Sequence, residues 1–351
     1  MNMNIIETLH DWVRKERFIH SIKTALACLM SFLIANHVHF QTTQWIMITT
    51  IVVMCAQINV GSVIQKSYMR FLGTLTGSLF AILTLKIFGN DPTISMNVVL
   101  IAVVFFSFIA TSTKSYNESG TLGAVTVAII LFGQNPSVQS GIERFLEISL
   151  GILIAAIISQ FVLPIHARTH LQRNQAITIK KIRSFYLNLF TSTPSPDNQN
   201  VLGNLDEEIV KLLIAQRKLA GEARREKFGK LFNIDNFQQS LWCEKEIIRS
   251  ITFMFYAYQK AADLPILREN KALLENFHQE ISNILQDISR SIEKNKMPTQ
   301  ILINHMTSLK KTLNNIELLG HNERISLDTF IFCAEILVAR LEKIVELLKK
   351  P

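Results

Sequence analysis

No formal charge occurs between Thr24 and Gln65, a run of 42 residues. A bilayer-crossing helix needs about 20 apolar residues, so this run is too long for one span and suits two. It is interrupted by the polar stretch His37-Val-His-Phe-Gln-Thr-Thr-Gln44. Residues 24–167 hold only nine formal charges: Lys66, Arg70, Lys86, Lys114, Arg144, Asp91, Glu118, Glu143 and Glu147. Residues 168–351 hold 27 Lys/Arg and 21 Asp/Glu. Soluble domains carry about 25% charged residues, so the first part is not an ordinary soluble domain and the second is not a membrane span. Disorder, collagen-like structure and a small disulfide scaffold are excluded by the same composition.

The pattern predicts an all-α chain with two domains: a six-helix transmembrane domain over 1–167 and a helical domain on the cytoplasmic side over 168–351. The spans are expected near 18–36, 45–60, 71–88, 94–112, 119–133 and 145–163. Gly89-Asn-Asp-Pro92 closes the third, Gly133-Gln-Asn-Pro136 the fifth and Pro164 the sixth. Backbone amides in hydrocarbon must be satisfied within the segment, which dictates helices, and runs this long do not alternate like barrel strands. The polar opening holds Glu7, Asp11, Arg14, Lys15, Glu16 and Arg17 and does not read as a cleavable signal. Lys/Arg in the connections place Arg14, Lys15, Arg17, Lys23, Lys66, Arg70, Lys114, Arg168 and Arg173 on one side, against Lys86 and Arg144. The positive-inside rule then puts both termini in the cytoplasm.

Shifted by 74 positions, Arg70-Phe-Leu-Gly-Thr-Leu-Thr-Gly77 falls on Arg144-Phe-Leu-Glu-Ile-Ser-Leu-Gly151. The same shift lays the second span on the fifth and the third on the sixth. Three spans per copy imply opposite insertion, a 3+3 inverted repeat such as many secondary transporters use. In that architecture short or glycine-interrupted segments at matching places mark the substrate route. Trp45, Thr49, Thr50 and Gln57 in span two, Thr74 in span three, and Thr121 and Thr126 in span five are the polar candidates. Their hydroxyls and amides can bind a carboxylate or a ring substituent without the desolvation cost of a fixed charge. Gly73, Gly77, Gly123 and Gly151 suit close helix packing, the commoner role of small residues in membranes. Arg70 and Arg144 either snorkel to the headgroups or line a polar route that attracts an anion. Glu147 and Lys86 are candidates for coupling. His37 and His39 have no carboxylate or cysteine nearby and read as loop residues, not metal ligands. Cys28, Cys55, Cys243 and Cys333 have no metal-ligand spacing and are expected to be buried structural thiols.

Lys23-Thr-Ala-Leu-Ala27, Trp45, Arg70-x-x-Gly73-Thr-x-x-Gly77, Tyr116 and Arg144-x-x-x-x-x-x-Gly151 resemble the fusaric acid resistance-like (FUSC) family of membrane transporters. That family includes aromatic carboxylic acid exporters and is similar to plant aluminium-activated malate transporters. The resemblance covers residues 10–170. It implies six spans, a cytoplasmic helical domain and export or conduction of organic anions in a bacterial inner membrane. Arg70, Tyr116 and Arg144 would then belong to the pathway. Glu147 stands where aspartate is often expected, which preserves charge but not reach. Many aromatic acid exporters carry a second membrane block, so this chain is expected to pair with another copy, with a periplasmic adaptor as a further partner.

Beyond Pro164 the stripes Leu274, Phe277, Ile281, Ile284, Ile288, Ile292 and Phe330, Ala334, Leu337, Leu341, Ile344, Leu348 recur at spacings of three and four. They predict amphipathic helices of a bundle, with a core or a coiled-coil seam between subunits. About six helices are expected between 165 and 350. Thr193–Gly203 reads as a loop and Asn204 with Glu207 as a cap. Breaks are expected at Asp263-Leu-Pro265, Lys296-Met-Pro298 and Gly320. Trp242, Phe253, Phe255 and Tyr256 read as core. Basic residues alternate with acidic ones, which disfavours nucleic acid as a partner for the net charge of +8. No phosphate loop, metal cluster, catalytic pair or cofactor signature is legible, so an enzyme is the least favoured reading. Export of small organic, aromatic carboxylic anions or toxic compounds leads. An organic-anion channel and a membrane-anchored interaction protein are the alternatives.

Overall fold

A computed structural model describes residues 3–37, 44–112, 117–191, 196–226, 233–261, 265–298, 304–314 and 321–349. Among these there are thirteen helices and no strand. In chain order they are α1 (Met3–His37), α2 (Gln44–Cys55), α3 (Val60–Phe88), α4 (Pro92–Ala110), α5 (Asn117–Leu131), α6 (Val138–Phe161), α7 (Ala167–Thr191), α8 (Pro196–Ala223), α9 (Ile234–Ala261), α10 (Pro265–Glu269), α11 (Lys271–Lys294), α12 (Asn304–Asn314) and α13 (His321–Lys349). The chain divides into two compact units, 1–167 with 225–227, and 168–224 with 228–351.

Local chemistry sets several helix ends in the first unit. Asp91 caps α4 by accepting from the Thr93 and Ile94 amides at 2.8 and 3.1 Å, and Pro92 supplies a helix-ready φ at the first position. Ser137 and Ser140 form a reciprocal capping box at the start of α6. Gly89 ends α3 with φ +69°, a conformation that favours glycine.

Two helices begin well before the spans expected of them. Val60 precedes residue 71 by three turns, and Val138 precedes residue 145 by two. A charged side chain does not stop helix propagation, so Lys66 and Arg70 lie inside α3 and Arg144 lies inside α6. Among the described residues three helices are long and apolar enough to cross a membrane: the Lys15–His37 part of α1, α3 and α4. α2 and α5 are apolar but have only 12 and 15 residues, about 18 and 22 Å at 1.5 Å per residue.

The exterior of this unit is apolar. Phe18, Leu79, Leu83, Ile101, Val104, Phe108, Leu153 and Phe161 are all exposed. A water-facing surface does not carry apolar area on this scale, whereas hydrocarbon favours it. Polar and small residues are inside instead: on α1 the buried face runs His20, Lys23, Ala27, Ser31, Ala35. Cys55 is exposed, contrary to expectation, because it ends α2 on the side away from the packed face.

The packing of the six helices is symmetric. α1 packs on α2, α4 on α5, α3 on α5 and α6, and α6 on α2, with lesser pairings α1–α6, α3–α4, α2–α3 and α5–α6. Exchanging α1, α2, α3 with α4, α5, α6 leaves this set of pairs unchanged.

The second unit is a helical core dominated by α9 against α13. Ile247, Ile251 and Met254 of α9 join Phe277, Ile281 and Leu285 of α11, Phe330, Leu337 and Leu341 of α13, and Ile179, Ile182 and Tyr186 of α7. Both predicted apolar stripes face this core, with Ile284 and Leu348 at its margin. Seven helices occupy the region expected to hold six. Pro196 starts α8, so 196–203 are helical and Asn204 is internal, because proline is at home in a first turn. Trp242, Phe253 and Tyr256 are exposed, not core: the buried positions 237, 241, 244, 247, 251 and 254 define the opposite face of α9.

Tyr186 and His278 are a buried pair, hydroxyl to Nδ1 at 2.6 Å, with His278 stacked on Phe190 at 4.5 Å. Burial lowers His278 to about 4 and raises Tyr186, so both are neutral near pH 7. Tyr186→Phe strands Nδ1 without a partner and is expected to cost about 1–3 kcal/mol. Faster amide hydrogen exchange in α7 and α11 would record it.

Candidate functional site

One face of α3 carries a line of buried polar residues: Ser67, Arg70, Thr74 and Ser78. They recur at three and four positions, so they share a face. The Ser67 and Ser78 hydroxyls and Arg70 Nε have no hydrogen-bond partner. Buried polar atoms are ordinarily satisfied, and unpartnered ones in a line mark a place for water or a polar ligand. Gly73 and Gly77 flank the line and draw α5 close. A Cβ at Gly73 would lie 2.5 Å from Ser119 O, and one at Gly77 would lie 2.6 Å from Gly123 O.

Arg70 is the centre of this face. It is 8% exposed, and one guanidinium nitrogen reaches Thr49 Oγ1 of α2 at 3.5 Å. No carboxylate among the described residues pairs with it. Thr49 also packs against α6, since a Cβ at Gly151 would lie 2.8 Å from its Cβ and 2.5 Å from Ile46 O. The next residue, Thr50, donates to Gly151 O at 3.2 Å and to Ile46 O at 3.0 Å, and lies 2.7 Å from Ser31 Oγ. Thr49 thus faces the arginine while Thr50 binds helices together.

Its repeat counterpart, Arg144, sits differently. Arg144 pairs with the fully buried Glu147 at 3.2 Å and lies over the Trp45 ring at 4.3 Å from its centroid. The residue of α3 matching Glu147 is Gly73. Of these two arginines, Arg144 is neutralised within its own helix and Arg70 has no carboxylate beside it among the described residues.

The crossings also correct the register of the repeat. Gly77 meets Gly123 O and Thr126 Cβ, and Gly151 meets Ile46 O and Thr49 Cβ. Gly77 and Gly151 are 74 apart, as the sequence suggests. Gly123 and Ile46, like Thr126 and Thr49, are 77 apart. Ile46 to Gly77 spans three more positions than Gly123 to Gly151, so one shift cannot align both pairs.

Other candidates separate from this centre. Thr126 is buried but donates to its own helix, at Leu122 O. Thr121 is exposed, Gln57 is half-buried in the turn after α2, and Lys86 is exposed in the last turn of α3. Gly123 faces Phe106 of α4. His37 bonds Leu33 O within its own helix. Tyr116, Lys114, His39 and Gly320 lie outside the described residues. Among the described residues no cluster fits a metal ion.

Sequence reasoning missed His20 and took Lys23 for a flanking charge. Lys23 is 1% exposed and donates to Ser159 O near the end of α6 at 2.7 Å, while His20 Nε2 lies 3.1 Å from Met54 O at the end of α2. The last carbonyls of a helix lack intrahelical donors and carry partial negative charge, which is what allows an ammonium to be buried there without a carboxylate. The signal was the recurrence of His, Lys and small residues along α1, which marks the face turned away from lipid.

The family model for the fusaric acid resistance protein family matches residues 17–252. The chain belongs to the FUSC family. It is 26% identical over 212 residues to the inner membrane protein YeeA of Escherichia coli K12, covering 59% of this chain and 57% of YeeA. It is 32% identical over 152 residues to the multidrug resistance protein MdtO of the same strain, covering 41% of this chain and 22% of MdtO. A UPF0421 protein of Staphylococcus epidermidis ATCC 12228 is 23% identical over 301 residues, or 82% of this chain and 88% of that protein. The chain thus spans well under two thirds of YeeA and of MdtO.

Proposed function

We propose that this FUSC protein is a secondary transporter that exports small organic anions across a bacterial cytoplasmic membrane. Membership of the family, and likeness to the inner membrane protein YeeA and the multidrug resistance protein MdtO, support membrane transport or efflux. The observation that carries the substrate class is Arg70, a buried arginine in the first unit with no carboxylate partner among the described residues, one terminal nitrogen near Thr49 and its Nε unpartnered. A buried cation without a counter-ion is costly, and an anionic ligand relieves that cost. The polar line from Ser67 to Ser78 is the route, and an aromatic carboxylate suits its combination of charge and apolar flanks.

In this reading α1–α6 make six crossings with both termini in the cytoplasm and the second unit on that side. α2 and α5 are shorter than the roughly 30 Å of hydrocarbon, as interrupted helices around a transport site are. The two three-helix groups insert oppositely, and the exchange symmetry of their packing supports that. The role assigned is transport and not catalysis.

The test is uptake of labelled 4-hydroxybenzoate into everted vesicles. Arg70→Ala should lower the rate about 10- to 100-fold, the scale of losing charge-assisted hydrogen bonds of 1.5–3 kcal/mol. Arg70→Lys should fall between. Wild-type transport by Arg70→Ala at equal membrane abundance would remove Arg70 from the path.

A further inference from the structure

We propose that the second unit contains a separate binding site for a small organic anion with a flat apolar body, such as an aromatic carboxylate. The site is a cavity of about 380 Å³ between α8 and α9. This is within the usual range for small-molecule pockets. Arg217, Ala220 and Gly221 of α8 and Arg224, one residue past its end, recur at three and four positions and present one face. Phe237, Leu241, Trp242 and Lys245 do the same on α9. The proposal does not rest on the transport reading, because no residue of the α3 path takes part.

Three features specify the ligand. Arg217, Arg224 and Lys245 bring three positive charges to one cavity, and among the described residues no acidic side chain lines it and none pairs with these three. Elsewhere on this unit cations find acids: Lys181 with Glu208, Lys211 with Glu207, Arg249 with Glu246. Three unpaired cations facing one space repel one another, and an anion between them removes that repulsion.

The floor is apolar. Ala220, Phe237 and Leu241 form a buried cluster with Leu171, and the small Ala220 and Gly221 leave the volume open. Inorganic phosphate would leave this floor uncovered, whereas an aromatic ring covers it.

The third feature is Trp242. It is 48% exposed, and Arg340 of α13 lies over its ring at 4.2 Å. Arg340 Nε is buried without a partner. An exposed indole backed by a guanidinium is a surface on which an electron-rich ring stacks well. The carboxylate then meets Arg217, Arg224 and Lys245 and the ring meets Trp242 and Phe237.

Tryptophan emission of the purified full-length chain in detergent tests this. The chain has three tryptophans, so Trp12→Phe with Trp45→Phe leaves Trp242 as the reporter. Benzoate should change the emission saturably, and neutral benzamide should not. Arg217→Gln with Arg224→Gln, both exposed positions, should weaken the benzoate response at least tenfold, while Arg70→Ala leaves it unchanged. Lys245→Gln provides a second variant at a different helix. No saturable response, an equal response to benzamide, or full retention in both variants would overturn the site. A response to phosphatidylglycerol vesicles but not to benzoate would assign the cations to lipid headgroups and overturn it as well.

Discussion

Replacing Gly151 with alanine is expected to destabilise the first unit by about 1–3 kcal/mol. The new Cβ would sit 2.5 Å from Ile46 O and 2.8 Å from Thr49 Cβ. A backbone oxygen cannot rotate away as a side-chain tip can, so α6 and α2 must separate. Overpacking in a dense interior costs about 1–3 kcal/mol. Separation also stretches the Thr50 to Gly151 O bond, but the hydroxyl keeps Ile46 O and Ser31 Oγ as partners, so this adds little. Gly77→Ala meets Gly123 O at 2.6 Å and Thr126 Cβ at 2.9 Å, the matching contacts of the other three-helix group, and should lose a similar amount. Two glycines with nothing within 4 Å calibrate the effect. Gly203→Ala, exposed within α8, should be neutral or gain about 0.5–1 kcal/mol from helix propensity. Gly89→Ala should lose about 1 kcal/mol, because φ +69° is unfavourable for a Cβ. Melting of the full chain in detergent, followed by size-exclusion recovery after heating, orders the four. Loss at Gly151 without loss at Gly77 would contradict the structural equivalence of the two crossings.

Much of this architecture was legible because hydrocarbon leaves a coarse trace. The charge-free run from Thr24 to Gln65 announced a lipid-facing unit, and the breaks at Gly89–Pro92 and Gly133–Pro136 are local chemistry. The stripes of α11 and α13 gave the second core by period alone. What escaped depended on long-range packing. Charges were read as helix ends, yet Arg70 lies ten residues into α3, because a helix continues until a cap or a proline stops it. Lys23 was read as a flanking charge and is one of the most buried residues, because carbonyls at the distant end of α6 receive it. The three-residue change in register between α2 and α5 was invisible because apolar helices share too little identity to align. Trp242 counted as core by type, but its place on α9 turns it outward.

The second unit should also show an unusual pH dependence, traceable to Glu244. This carboxyl is fully buried in the core, where Gln175 and Gln216 donate to its two oxygens at 3.1 and 3.0 Å. Burial raises it from 4.5 to about 7, and the two amide bonds offset only part of that rise. The raised value means that the stability it contributes is fully present below pH 4.5 and is lost as pH rises through 7. His278 works in the opposite sense. Burial lowers it from 6.5 to about 4, so its contribution is complete above pH 6.5 and is lost as pH falls through 4. Each group is worth about 3 kcal/mol at 1.36 kcal/mol per pH unit. Between pH 4.5 and 6.5 the two slopes cancel, and the unit should be nearly indifferent to pH there. Glu244→Gln removes one slope. Its amide can accept from one glutamine and donate to Gln216 Oε1, which otherwise has no partner. The variant should gain up to about 3 kcal/mol above pH 7 and gain little at pH 4, exposing the histidine limb as a monotonic loss toward acid. Hydrogen exchange of α7 and α9 amides at pH 5 and pH 8 measures the difference. Equal protection of wild type and variant at pH 8 would mean that Glu244 is ionised in the fold without cost.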